Sequence, residues 1–191
     1  MNDVAYNEPW LDERAREVRA SIAAIQGMSA QFSYLQLGWR PPDGGWSIGQ
    51  VFEHLILTDR PYIDAIRRAL RNAPRARDAW RSSFLGGMLV RAVSPEAKRK
   101  AKAFKGYRPG PQPRADVVSD YLALREQLLE LIAEARGADL RRTRFHSRIF
   151  GLIRLNLGDG IMVMIRHTER HLQQVARVHQ QMISSGPANV I

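Results

Sequence analysis

The chain has 191 residues, a formal net charge of +10, 45% apolar side chains and no cysteine. This length and apolar content exclude compositional disorder and predict one domain, residues 1–191, with a real core. The missing cysteines exclude disulfides, thiolate metal sites and cysteine nucleophiles.

The N-terminus, 1–10, carries Asp3 and Glu8 and lacks the basic-then-apolar order of a secretory signal, which favours the cytoplasm. No apolar run is long enough for a membrane span, so no membrane partner is expected. Leu11, Ala15, Val18, Ile22, Ile25, Met28, Phe32 and Leu35 recur at three- and four-residue steps, which predicts a first helix over about 11–37. Gly38, Pro41, Pro42, Gly44 and Gly45 end it. So short a connection returns the next helix antiparallel.

Ser47 and Gln50 make an S-x-x-Q capping box, so the second helix starts there and runs to about Asn72. Ile48, Val51, Leu55, Tyr62, Ile66 and Leu70 form its apolar stripe. His54 falls at the stripe's edge and Asp59 near its centre, where a carboxylate requires a partner. Pro61 removes a backbone donor and is expected to kink the helix.

Residues 73–113 are rich in Pro and Gly and read as a long crossover, with short helices over about 82–93 and 95–104. A crossover of this length in a compact domain is usually functional or mobile, and this one is expected either to lid a site or to lie across the bundle. Its 98–105 stretch holds Lys98, Arg99, Lys100, Lys102 and Lys105, the one dense basic cluster. No nucleic-acid motif accompanies it, so a solvated basic segment is expected, with a phosphate- or nucleic-acid-binding module as the weaker alternative.

Val117, Tyr121, Leu124, Leu128, Leu131, Ile132 and Ala135 predict a third long helix over about 115–136. An irregular stretch, 138–156, follows. The last helix, about 157–183, opens near Asn156 and has Ile161, Met164, Ile165, Thr168, Leu172, Val175 and Met182 on its buried face. Arg166, Arg170 and Arg177 are expected opposite, in water, and the tail from Ser184 is expected to fray. Four long amphipathic helices without a convincing strand predict an all-α fold: a four-helix bundle with a long crossover between helices two and three.

His167 and His171 stand four residues apart in the last helix, so both imidazoles project from one face and can share a metal ion. The sequence is H-T-E-R-H, so the carboxylate is out of register with the H-E-x-x-H of zinc proteases. His54 is the best third ligand, because bundle metal sites are built from facing helices. Three imidazoles with an open fourth position make a Lewis-acid or hydroxide-generating site. Asp59 can orient a ligating ring from behind, or make a structural hydrogen bond to a neighbouring helix. His179, on the buried stripe, reads as a core residue, and His146 as a solvated loop histidine. Trp46, Tyr62 and the methionines at 162, 164 and 182 read as packing.

The segment Trp46-Ser47-Ile48-Gly49-Gln50-Val51-Phe52-Glu53-His54-Leu55, with Asp59 five residues on from the histidine, resembles the second-helix signature of the DinB/YfiT-like family. His167-Thr168-Glu169-Arg170-His171-Leu172-Gln173-Gln174 resembles its closing H-x-x-R-H-x-x-Q motif. Phe145-His146-Ser147 resembles its loop before the last helix, with Ser147 where the family often has proline. The resemblance implies a four-helix bundle, a divalent metal, commonly zinc or nickel, on His54, His167 and His171, and frequently a homodimer. It also implies thiol-dependent S-transferase chemistry with a low-molecular-weight thiol and a small electrophile. The rival expectations are a metal-dependent hydrolase and a non-catalytic binding or dimerisation bundle.

Overall fold

The computed structural model describes residues 6–97, 103–147, 151 and 153–185. Six α-helices dominate it: α1 (Glu8–Ser29), α2 (Tyr34–Gly38), α3 (Ile48–Leu70), α4 (Phe84–Val93), α5 (Val117–Glu134) and α6 (Leu157–Ser184). A short 3-10 helix, Lys105–Tyr107, lies between α4 and α5. Two short strands, β1 (Arg144–His146) and β2 (Arg154–Asn156), pair antiparallel before α6. The four long helices share one core: α1 and α3 each pack against both α5 and α6. No described helix is long and apolar enough to cross a membrane.

The expected first helix is two helices. α1 ends at Ser29, and α2 restarts behind Ser33, whose hydroxyl accepts from the Gln36 amide while the Gln36 side chain accepts from the Ser33 amide. The break turns Leu35 out to solvent and puts Leu37 into the core in its place. Gly44, at φ +77°, makes the turn that leads to Trp46.

α3 begins as expected. Ser47 is fully buried, its hydroxyl 3.2 Å from the Gln50 amide, and Gln50 Oε1 accepts from the Ser47 amide at 3.1 Å. Gln50 also donates through Nε2 to the Gly110 carbonyl at 2.7 Å, which ties the start of α3 to the end of the crossover. The helix continues through Pro61.

The region before α6 is not strand-free: Phe145 pairs with Leu155, and His146 with Arg154. Asn156 then caps α6, its side chain accepting from the Asp159 amide. Asp159 is fully buried and accepts from Ser82 Oγ, Ser83 Oγ and the Ser83 amide, which moors α4 to α6. Gly86 packs so tightly on that carboxylate that a Cβ there would overlap it. Of the expected helix over 95–104, the described residues 95–97 and 103–104 are turn and irregular backbone rather than helix, while 98–102, the dense part of the basic cluster, and the tail from 186 lie outside the described residues.

Candidate metal centre

α3 delivers His54 from its second turn, and α6 delivers His167 and His171 from successive turns of its middle. The three rings meet. Their centroids are 5.2 Å apart for His54 and His167, 4.9 Å for His54 and His171, and 4.5 Å for His167 and His171. One ring nitrogen from each lies within 4.8 Å of the others. His54 and His171 are buried, and the His167 side chain is 14% exposed.

The outward nitrogens are engaged, which decides the inward ones. His54 Nδ1 lies 2.7 Å from the Tyr107 carbonyl oxygen. A carbonyl only accepts, so Nδ1 carries the proton and Nε2 keeps its lone pair. His171 Nδ1 is 2.9 Å from Gln174 Oε1 and donates to it in the same way. His167 Nδ1 faces Asp59 Oδ1 at 4.0 Å, too long for a hydrogen bond but within Coulombic reach. The Nε2 atoms of His167 and His171 stand 3.0 Å apart. Tetrahedral zinc with nitrogen ligands at about 2.0–2.1 Å sets neighbouring nitrogens roughly 3.3 Å apart. The His167–His171 pair therefore already has nearly the separation that one ion requires.

Electrostatics keep the three rings neutral. Burial is the main cause for each. It pushes His167 down to about 3, with the His54 and Arg170 charges adding to the effect. It drives His171 well below the ordinary range, again helped by neighbouring charge. His54 is lowered too, against the opposing pull of the Tyr107 carbonyl and Asp59. A cluster of unprotonated imidazoles is what a divalent cation binds.

Behind the rings lies a buried polar chain. Tyr121 Oη donates to Asp59 Oδ2 at 3.1 Å and lies 2.7 Å from Thr168 Oγ1. Arg125 Nη1 donates to Thr168 Oγ1 at 3.1 Å and stands 3.9 Å from Asp59 Oδ2, while Nη2 donates to Ser21 Oγ at 3.2 Å. Arg125 is 1% exposed. Burial raises Asp59 to about 6, and Arg125, the Tyr121 hydroxyl and His54 pull it back down. The partner that Asp59 requires is thus this chain of side chains from α5, α6 and α1.

In front of the rings is a cleft of about 890 Å³, lined by the 41–46 loop, the turn at Tyr107 and Arg108, the C-terminal end of α4 and the exposed side of α6. Trp46 packs on His54 with ring centroids 4.9 Å apart, as expected of a packing residue. Tyr62 reaches the cleft, and its hydroxyl is bonded to Ser147 Oγ at 2.8 Å; burial raises its pKa to about 12.

Three expectations change, whereas His146 is solvent-exposed as expected, on β1 rather than in a loop, and does not line the cleft. His179 is half-buried rather than core, with Phe32 edge-on at 4.9 Å. Arg166 is not a free solvent arginine: it bonds Glu169 at 2.7 Å and Glu17 at 3.1 Å. Arg170 is half-buried at the cleft wall, donating to the carbonyls of Ala92 and Ser94 at 3.3 and 3.2 Å.

A helical fold with a three-histidine cluster able to hold a metal ion between two of its long helices defines the class. The chain belongs to the DinB superfamily, whose family model matches residues 17–175 and so spans all three histidines. Comparison with curated proteins and with solved structures finds no match.

Proposed function

We propose that this chain is a divalent-metal-dependent thiol S-transferase, a single domain built as a four-helix bundle whose long crossover passes over the metal centre. One observation carries the reading: three neutral imidazoles turn one nitrogen each toward a common point at the floor of a large cleft. A purely structural ion is enclosed by protein ligands, whereas three ligands beside a cleft leave a position for a substrate. Imidazole donors suit zinc and nickel. The thiol class and the homodimer follow from the family resemblance; the cytoplasmic setting without membrane or nucleic-acid partners rests on the sequence reading alone.

A bound divalent ion supplies positive charge that favours ionisation of a thiol. The protein's own groups do the positioning. The Tyr107 carbonyl fixes the His54 ring, the Gln174 side chain fixes His171, and Asp59 places negative charge beside His167. Trp46, Phe104, Val163 and Val178 give the cleft apolar wall surface. In the transfer, the thiol proton leaves to solvent, a sulfur–carbon bond forms, and the leaving group departs from the electrophile.

The test is elemental analysis of the purified protein, followed by transfer from a panel of thiols to 1-chloro-2,4-dinitrobenzene with chloride release. The reading expects about one zinc or nickel per chain and thiol-dependent transfer that His171→Ala abolishes. Full transfer by His171→Ala overturns it. Ester hydrolysis without thiol dependence would point instead to the hydrolase.

A further inference from the structure

We infer that the cleft recognises a small molecule carrying a carboxylate or phosphate group, held by Arg170, Arg177 and Arg108 while the molecule's other end reaches the three histidines. The inference rests on the metal-centre reading and adds the substrate's charge and extent.

The first argument is length. Gln174, Arg177, Val178 and Gln181 of α6 all line the cleft beyond His171. At 1.5 Å rise per residue, the ten residues from His171 to Gln181 carry the cleft about 15 Å past the last histidine. Together with a volume of about 890 Å³, this is room for a molecule of many heavy atoms, far beyond a water or a single small thiol.

The second argument is charge. Three guanidiniums line this cleft, against two carboxylates, Asp43 and Asp59. Asp59 is buried behind the rings and is matched by Arg125 and Tyr121. Asp43 is turned to its own loop, where it accepts from the Gly45 amide at 2.9 Å. Arg170 donates to two carbonyls, and Arg108 Nε donates to the Ala103 carbonyl at 2.9 Å. A carbonyl fixes a guanidinium without cancelling its charge. The cleft is therefore an electropositive groove even before an ion adds to it.

The third argument is placement. Arg170 stands beside the histidines. Arg177 lies six residues past His171, roughly 9 Å further along the helix. Arg108 comes from the crossover, directly after the residue whose carbonyl fixes His54, and also lines the cleft. Planar guanidiniums spaced this way suit an oxyanion held at a distance from the reacting end.

The test measures binding, not turnover. Calorimetric titration of the zinc-loaded protein uses S-methylglutathione, which has the carboxylates but no free thiol, and glutathione diethyl ester, which has the thiol but no free carboxylate. Inorganic phosphate serves as the minimal anion. Arg108 and Arg177 are exposed, so Arg108→Gln/Arg177→Gln is expected to fold normally, with an unchanged melting temperature as the check. The inference expects S-methylglutathione to bind, to weaken on the order of tenfold in the double variant, and to weaken further with added salt. The ester should bind equally to both proteins. Arg170→Lys, which keeps charge but loses the fork, should weaken S-methylglutathione by less than Arg170→Gln. Equal affinity of wild type and double variant for S-methylglutathione overturns the inference, as does failure of both S-methylglutathione and phosphate to bind. Loss of transferase chemistry with this binding pattern intact would refute the catalytic reading alone.

Discussion

Nε2 of His167 and Nε2 of His171 face each other at 3.0 Å across one turn of α6. With His171 Nδ1 donating to Gln174, His171 Nε2 offers a lone pair, and a hydrogen-bonded pair would require the proton of His167 on Nε2. The carboxylate of Asp59 on the other side of His167 favours that proton on Nδ1 instead. A cation between the rings relieves the conflict, because both nitrogens can then present lone pairs.

Metal should therefore stabilise the fold strongly. At a free zinc concentration one hundred times Kd, linkage predicts about 2.7 kcal/mol of added stability. A clear rise in melting temperature is expected for wild type, and none for His171→Ala, whose metal-free form should still fold. A zinc-dependent shift of wild-type size in His171→Ala would place the ion elsewhere.

Acid should weaken the metal-free protein. His167 titrates near 3 when folded, against an ordinary 6.5, and His171 is lowered as well. Below about pH 6.5 the unfolded chain binds protons that the folded chain refuses, so stability falls as pH drops toward 3. Asp59 acts in the opposite sense. Its pKa rises from 3.8 to about 6 on folding, so the folded chain holds a proton that the unfolded one has released, a contribution lost as pH rises through 6. Three depressed histidines outweigh one raised carboxyl. The expected result is a lower melting temperature at pH 5 than at pH 7, with the slope flattened in His167→Gln/His171→Gln. A wild-type curve flat across this range would show that the rings are not held neutral.

Much of this site is legible from the chain alone, and for identifiable reasons. The i, i+4 spacing puts His167 and His171 on one face, and the Ser47–Gln50 box fixes the phase of α3 and hence of His54. The break between α1 and α2 has the same S-x-x-Q pattern at Ser33 and Gln36, but apolar periodicity runs straight through it and hides it. Strands of three residues are too short to show alternation. Arg125 follows Leu124 on a helix whose other charges face water, so nothing local marks it as buried. The Tyr107 carbonyl could not have been foreseen, because every residue has one.

The Ser47 cap offers a separable test. Its hydroxyl is fully buried and holds the Gln50 amide. Ser47→Ala should cost about 1 kcal/mol of stability. Zinc affinity should weaken too, since His54 lies two turns into the same helix. Unchanged stability in Ser47→Ala would mean that the box contributes nothing to α3.

Arg125 should be the most sensitive position in the polar chain. Removing it in Arg125→Met leaves Asp59 without its cation in a dry environment, which typically costs about 3–5 kcal/mol. Asp59→Asn removes the charge that requires the cation, so the double variant Asp59→Asn/Arg125→Met should be less destabilised than the sum of the singles. Denaturant unfolding of the four proteins measures the coupling. Additive effects would show that the two charges do not interact.

The bond from His54 to the Tyr107 carbonyl makes a backbone turn and a bound ion mutual effectors. The ring proton on Nδ1 that the turn accepts makes Nε2 the better donor, so the turn lends the ion affinity. Thermodynamic reciprocity then requires the ion to return the same free energy to the turn. The amides of Tyr107 and Arg108, bonded to the carbonyls of Phe104 and Lys105, lie inside that turn and should exchange with solvent more slowly once zinc is bound. Arg108 belongs to the same turn, so an ion on the histidines and an acid in the cleft should bind with positive cooperativity even where they never touch.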